Sequence, residues 1–268
     1  MIKLATVTNN PQLINDWVEW HKKFNFDEIV IFNNSPNLFK IEGTSEIDAK
    51  DIEAPQLKLY QSYIDQLGLG DWVLFLDDDE LLNLDGDVHD FLKPYTNCDT
   101  VRLNWKCYGD NGELRYREAP IWERFPEPCD ENVVYNDKLP NGITENWHVK
   151  CFYKRTFKPA QAGIHTPLIA GGCAVNTRME PQIANSPFQQ ICWDNAFVRH
   201  YNTLSTEEWA KRRLNKLDCC GNKVGTNEEL VRFYRNENVW SKEKEEIINA
   251  YIIRGSEKCD ESVSSKCS

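Results

Sequence analysis

Apolar runs alternate with helical repeats in the first part of the chain, and this pattern predicts an α/β fold. The segments IKLATVT (2–8) and DEIVIFNNSPN (27–37) are short, rich in β-branched residues and closed by turn signals, as buried strands are. Pro11 suits the first turn of a helix between them. The apolar residues that keep helical spacing there are Leu13, Ile14, Trp17, Val18 and Phe24. Strand, helix and strand in this order predict a right-handed unit with a parallel strand pair.

The same pattern continues through the middle of the chain. The predicted elements are, in order, a helix over 54–68, a strand over 71–76, a short helix over 88–95, and strands within 99–109, 146–155 and 192–203. Residues 111–146 are rich in Pro, Asn and charge and predict a long irregular connection, a kind of segment that is usually functional or mobile. The sequence therefore predicts a mostly parallel central sheet flanked by helices.

The C-terminal part of the chain is predicted to be helical. A capping-box pattern, Ser205 with Glu208, opens the first helix. The stretches NEELVRFYRNEN and SKEKEEIINAYIIR have the composition of two more helices, and a polar tail follows them. The simplest organisation is one α/β domain over residues 1–215 and a helical extension over residues 216–268 with a frayed end.

Four consecutive carboxylates, Asp77, Asp78, Asp79 and Glu80, follow the apolar run of the strand DWVLFL. Open α/β sheets bind ligands in the crevice outside the carboxyl ends of their strands. Like charges this close raise one another's pKa, so the cluster is costly unless a cation, hydrogen-bond donors or bulk water compensates it. Aspartates two apart are hard oxygen donors that suit Mg²⁺ or Mn²⁺. The alternative is a solvated acidic turn.

A few other residues are candidates for the same site. His200 ends an apolar run from which one imidazole can reach the acids, although a single histidine at a strand end is more often structural. His165 lies in a glycine-containing loop and is a candidate donor to a ligand phosphate. Lys150 and Lys154 are both candidates for neutralising a diphosphate, with a solvated strand face as the alternative for Lys154. His21 and His89 fall on helices and are predicted to be structural or surface residues.

Composition and missing motifs argue against several classes of function. A net charge of −11 argues against nonspecific binding to nucleic acid or to acidic membranes. No export signal or long apolar span is apparent, which predicts a cytoplasmic protein whose ten cysteines are reduced. The chain has no phosphate-binding loop of the G-x-x-x-x-G-K-[ST] type, no G-x-G-x-x-G after its first strand, and no G-x-S-x-G nucleophile elbow.

Several segments together resemble the landmarks of GT-A-fold glycosyltransferases, in the right order over residues 2–215. The resemblance is strongest to a family-2-like group in which the strand before the metal site is followed by D-x-D-E. The matching segments are LATVTNN, LINDWVEWHKKFNFDEIVIFNNSPN, Gln61, DWVLFLDDDELL, LNWKCYGDNG, IWERF, HVKCFYKR and VRHYNTLSTEEW. The resemblance implies a Rossmann-like GT-A domain that transfers a sugar from a nucleotide-diphosphate sugar, with UDP favoured, to a hydroxyl of a glycan or glycoprotein.

The resemblance also implies roles for particular residues. Asp77 and Asp79 would be the D-x-D pair, Asp77 near the donor and Asp79 on Mn²⁺ or Mg²⁺, and His200 would be the C-terminal metal ligand. Lys150 would approach the diphosphate. The residues that would line the nucleotide pocket are Thr8, Asn9, Asn33 and Asn34. The extension after residue 215 has no counterpart in the resemblance and is a candidate cap over the acceptor side or a candidate surface for assembly.

The reaction implied is inverting transfer, which needs a carboxylate to accept the proton of the acceptor hydroxyl. Asp194 is the first candidate because it lies near His200 in sequence and next to Trp193, and Glu123 is the rival. Two other functions stay open. A metal-dependent nucleotidyltransferase would use similar acids, and a catalytically silent sugar- or nucleotide-binding module would keep the fold without the reaction.

Overall fold

A sheet of nine strands forms the centre of the fold in the part of the chain that the structure, a computed structural model, describes: residues 1–53, 55–132, 143–183, 185–213 and 226–252. Its strands are β1 (Ile2–Thr8), β2 (Glu28–Asn33), β3 (Ser45–Asp48), β4 (Trp72–Phe75), β5 (Glu80–Leu84), β6 (Thr100–Cys107), β7 (Val149–Lys154), β10 (Ala174–Asn176) and β11 (Ala196–His200). A separate hairpin pairs β8 (Ala160–Gln161) with β9 (Leu168–Ile169).

Helices lie between and after these strands. They are α1 (Pro11–His21), α2 (Pro55–Gln66), α3 (Val88–Leu92), α4 (Ile121–Arg124), α5 (Thr206–Arg213), α6 (Asn227–Glu237) and α7 (242–252). Short 3₁₀ turns occupy Lys22–Phe24, Lys93–Tyr95 and Glu145–Trp147. The prediction of a mixed α/β fold with a mostly parallel sheet is confirmed.

The directions of the strands determine which strand ends lie together at one edge of the sheet. The strand order is β3-β2-β1-β4-β7-β6-β11-β5, with β10 also paired to β6. β1 runs parallel to β2 and β4, and β6 runs parallel to β11, whereas β7 is antiparallel to its neighbours β4 and β6, and β5 is antiparallel to β11. The carboxyl ends of β1, β2, β4, β6 and β11 therefore meet the amino ends of β5 and β7. We call this the carboxyl edge.

α1 packs as its apolar spacing predicts. Asn10 caps it by accepting from two backbone N–H groups, and the four predicted apolar positions within the helix are buried. Its last residue, His21, is also buried and bridges the Trp17 carbonyl, at 2.7 Å, and the Leu82 backbone N–H, at 3.0 Å. Burial lowers the pKa of His21 to about 3, so the ring is neutral and structural, as predicted.

The main element that the sequence pattern did not predict is β5. It begins at Glu80, the last of the four acids, so the pattern gives one strand and an acidic turn where the structure has two strands joined by a turn. β5 pairs with β11 and is covered by α1, where Trp20 donates from its indole N–H to the Leu82 carbonyl at 2.6 Å. The strands β3, β8, β9 and β10 were also not predicted.

The C-terminal helices are joined to the sheet through α5 and through the loop after β6. Their buried cluster combines Trp209 and Ala210 of α5 with Leu230 and Tyr234 of α6 and Ile248 of α7. In the loop after β6, Asp110 accepts hydrogen bonds from Tyr234 and, at 2.5 Å, from the Lys244 ammonium of α7. The predicted boundary between residues 215 and 216 and the predicted frayed tail lie outside the described residues.

Two further findings concern membrane-spanning helices and cysteines in the described part of the chain. No helix among the described residues is long and apolar enough to cross a membrane. The six cysteines within the described ranges whose state can be assigned are free thiols: Cys98, Cys107, Cys129, Cys151, Cys173 and Cys192.

Candidate functional site

The four acids form a tight turn between β4 and β5 at the carboxyl edge. The Glu80 backbone N–H donates to the Asp77 carbonyl at 3.0 Å. In return, the Asp77 backbone N–H donates to Glu80 Oε2 at 2.8 Å. These reciprocal bonds fix the turn, so the acidic segment is an ordered part of the fold and not a solvated surface loop.

Lys150, the second residue of β7, lies beneath the turn and neutralises it. Its ammonium nitrogen is 3.1 Å from Asp77 Oδ2 and 3.2 Å from Glu80 Oε2, and the lysine and Glu80 side chains are both fully buried. Burial alone would lower the pKa of Lys150, but Asp77 and Glu80 raise it above its ordinary value. Burial raises the pKa of Glu80 to about 8 against the opposing effect of Lys150. The Lys150 side chain is therefore fully enclosed and paired with Asp77 and Glu80.

Asp77 is also held by α2. The Gln56 side-chain amide donates to Asp77 Oδ1 at 2.6 Å and to the Tyr60 hydroxyl at 3.2 Å. Tyr60 is buried and stacks on Phe75 with 4.0 Å between ring centroids. Neither Gln56 nor Tyr60 was singled out from the sequence, because only the docking of α2 against the end of β4 reveals their contact with the acid.

Asp78 is bound to the end of β1. The Thr8 hydroxyl donates to Asp78 Oδ2 at 2.6 Å and accepts from the Asn10 backbone N–H at 3.0 Å. Asn9 is exposed between these two residues. Thr8 thus contacts the acidic turn through a carboxylate, and its predicted role in lining a nucleotide pocket, like that of Asn9, stays a prediction.

Asp79 is paired with a residue of the C-terminal part. The Arg212 guanidinium, near the end of α5, donates from Nη2 to Asp79 Oδ2 at 2.8 Å. The backbone carbonyl of Asp79 accepts from the Tyr201 N–H at 2.9 Å, which ties the turn to the end of β11. Asp79 is only 5% exposed. No sequence signal pointed to Arg212.

His200 closes the site on the side of β11. The strand register places it directly opposite Glu80, and its ring packs on Trp105 with 4.0 Å between centroids. The side chain is buried, and its Nδ1 has no hydrogen-bond partner. Burial lowers the pKa of His200 to about 4, although Asp79 and Asp77 oppose the shift. The imidazole is therefore neutral, the form in which histidine binds metals.

His165 and His148 pack on the same indole as His200. Their rings lie 5.3 and 4.7 Å from the Trp105 ring, measured between centroids. A ring nitrogen of His165 is 3.1 Å from the Val149 carbonyl, and burial, with Lys150 nearby, lowers the pKa of His165 to about 3. His165 is thus a neutral ring packed against Trp105, and its predicted role as a donor to a ligand phosphate stays a prediction.

Asn33 and Asn34 lie at the end of β2, on the carboxyl edge, and both side chains donate hydrogen bonds to backbone carbonyls. Asn33 donates to the Phe39 carbonyl at 2.9 Å and Asn34 to the Ala49 carbonyl at 2.5 Å. These bonds shape the loops that follow β2 and β3. The predicted role in lining a nucleotide pocket stays a prediction, and the amides would have to serve it from these positions.

The structure separates the two candidates for the catalytic base. Asp194 lies two residues before β11 (Ala196–His200), so the length of that strand, about 13 Å at 3.3 Å per residue, separates it from His200 and the acidic turn. There it forms a 3.0 Å ion pair with Arg178 and is 61% exposed. Glu123 is exposed on α4, whose Arg124 pairs with Glu208 of α5 at 2.7 Å. α4 is thus joined to α5, the helix whose Arg212 pairs with Asp79, and the role of catalytic base stays a prediction for both acids.

The donor set fits a hard divalent cation. Asp77 and Asp79 offer carboxylate oxygens, and two further potential ligand atoms, Glu80 Oε1 and His200 Nδ1, are buried without a hydrogen-bond partner. As the side chains stand, however, no group of three or more His, Cys, Asp or Glu within the described ranges is arranged to hold a metal ion. Lys150 and Arg212 supply positive charge at the acids.

Comparison with known proteins adds no identification. A scan against models of protein families finds no family that matches the chain, and a search among curated proteins finds no significant match. The interpretation of the site therefore depends on the geometry and chemistry of its own residues.

Proposed function

We propose that the protein is a metal-dependent glycosyltransferase with a GT-A-type fold. It would move a sugar from a nucleotide-diphosphate sugar, with UDP favoured, to a hydroxyl of a glycan or glycoprotein. One observation carries the proposal: the D-x-D acids and a neutral histidine with an unpartnered nitrogen converge at the carboxyl edge of a mostly parallel sheet. This edge is where open α/β sheets bind nucleotides and their phosphates.

The residues that would hold Mn²⁺ or Mg²⁺ are Asp77, Asp79 and His200. Such a cation neutralises the charge that develops on the diphosphate when the bond to the sugar breaks. Lys150 keeps Asp77 and Glu80 at fixed positions from below, and Thr8 does the same for Asp78. The acids are thus oriented before the donor binds. Preorganised charge of this kind makes the largest contribution to the rate enhancement in many enzymes.

The rest of the donor would extend along the carboxyl edge toward β1 and β2. Asn9 is exposed there beside Thr8, and the loops shaped by Asn33 and Asn34 border the same end of the sheet. The acceptor would approach from the side of α5. The helices α6 and α7 are fixed on that side through Asp110, which supports the prediction that the C-terminal extension lies near the acceptor.

A thermal-shift panel tests the proposal. UDP, GDP, dTDP and CMP would each be added with and without Mn²⁺, because a ligand that binds only the folded state raises its stability by mass action. We expect one diphosphate to raise the melting temperature only when Mn²⁺ is present, with UDP as the favoured base. The absence of a shift with every nucleotide would contradict the proposal and favour a silent binding module.

A further inference from the structure

The ion pair between Arg212 and Asp79 joins a predicted metal ligand to the C-terminal helices. Arg212 Nη2 is 2.8 Å from Asp79 Oδ2, while its other terminal nitrogen, Nη1, is buried without a hydrogen-bond partner. The arginine side chain is 22% exposed and the aspartate 7% exposed. Two of the five N–H groups of the guanidinium, those on Nη1, are therefore buried and unused, which is costly unless a further acceptor arrives.

The helix that carries Arg212 is firmly fixed. Its first turn is capped by Ser205 and Glu208, and Glu208 also accepts from the buried Arg124 at 2.7 Å. Farther along, Trp209 and Ala210 are part of the hydrophobic cluster formed with α6 and α7. A change in the contact between Arg212 and Asp79 therefore involves the long arginine side chain and leaves the helix in place.

We propose that Arg212 and the divalent cation compete for Asp79, and that the arginine displaced by the cation binds the diphosphate of the donor. This inference rests on the proposed function. Arg212 thus stands in for the cation in the metal-free protein and becomes a positioning residue for the donor once the cation is bound.

Charge and shape favour the diphosphate as the new partner. The protein carries a net charge of −11, so an anionic donor needs a local cation in addition to the metal. Lys150 cannot take this role without leaving two carboxylates, because it is fully enclosed between Asp77 and Glu80. Guanidinium is planar and weakly hydrated, and its parallel N–H groups match two phosphate oxygens. A diphosphate beside the cation would also satisfy Nη1.

The test uses the full-length chain and the variants Arg212→Gln and Arg212→Lys. Mn²⁺ binding is measured alone by electron paramagnetic resonance of the free ion, and UDP binding is measured by calorimetry at saturating Mn²⁺. In Arg212→Gln we expect Mn²⁺ alone to bind more tightly than in the wild type, because its competitor is gone. We expect UDP to bind about 10- to 100-fold more weakly, the range for losing hydrogen bonds to a charged group. For Arg212→Lys, both affinities should lie between those of the wild type and those of Arg212→Gln.

Lys211→Gln is the matched control, since this exposed residue precedes Arg212 on the same helix. It should leave both affinities unchanged. Opposite changes in the two affinities support the inference, and a merely structural role for Arg212 would weaken both together. Unchanged or jointly weakened binding in both Arg212 variants overturns it. If the wild-type protein binds neither Mn²⁺ nor any of the panel nucleotides, the proposed function itself fails, and the inference fails with it.

Discussion

Replacing Lys150 with Met is expected to lower the free energy of unfolding by about 3 kcal/mol at about pH 9, the scale for breaking a buried ion pair by removing one partner. Met fills a similar volume but leaves Glu80 buried with no cation and Asp77 with one fewer donor. The loss should be smaller near pH 6. In the wild-type protein burial raises the pKa of Glu80 to about 8, and removing Lys150, which lowers this pKa, raises it further. At pH 6 the Glu80 side chain of the variant therefore holds a proton and carries no unpaired charge.

Urea unfolding followed by tryptophan fluorescence at the two pH values measures both effects. Lys154→Met is the matched control: it lies on the same strand, and its ammonium group donates to the Thr96 carbonyl in an exposed hydrogen bond. Its cost should stay below about 1 kcal/mol and should not depend on pH. Equal losses for Lys150→Met at both pH values would show that Glu80 is not the group left uncompensated.

Replacing Asp79 with Asn is expected to reduce metal-dependent sugar transfer about 1000-fold, since several kcal/mol of charge stabilisation by the cation would be lost and each 1.36 kcal/mol is worth a factor of ten. The amide keeps the shape of the side chain but is a much poorer ligand for a divalent cation. The measurement is the Mn²⁺-dependent release of nucleoside diphosphate, with the donor whose base gives the thermal shift.

Asp85→Asn is the control for this second variant, because Asp85 is an exposed aspartate in the turn that follows β5. It removes the same charge close by in sequence and should keep nearly the full rate. Circular dichroism would establish that both variants are folded. An Asp79→Asn variant within about threefold of the wild-type rate would remove Asp79 from the proposed metal ligands, since a factor of three corresponds to less than 1 kcal/mol.

The parts of the fold that follow from local patterns could be predicted from the sequence. The uninterrupted apolar run before the acids is a buried strand, and the apolar spacing after Pro11 is the buried face of α1. Both patterns arise because a strand enclosed on two faces is apolar throughout, and a surface helix is apolar on one side. The placement of the acids at the carboxyl end of β4 followed directly from the apolar run that precedes them.

The remaining parts of the site depend on strand direction and on contacts between residues distant in sequence. β11 runs toward the acids, so its last residue, His200, reaches them and Asp194 does not, and direction is not encoded in the apolar pattern. Lys150 was predicted to face a diphosphate, yet it is enclosed by carboxylates about 70 positions away in the chain, a pairing that only the folded sheet reveals. Arg212 contacts Asp79 only because α5 packs against this edge of the sheet, which the sequence pattern does not show.

The central claim is that a divalent cation bound by these residues holds the donor's diphosphate, and pulsed electron paramagnetic resonance of Mn²⁺ in the presence of UDP tests it most directly. The account predicts hyperfine coupling to phosphorus from the diphosphate and to nitrogen from His200, with the nitrogen coupling lost in His200→Ala and kept in His148→Ala. Mn²⁺ that stays free in solution, or that binds without phosphorus coupling, would contradict it.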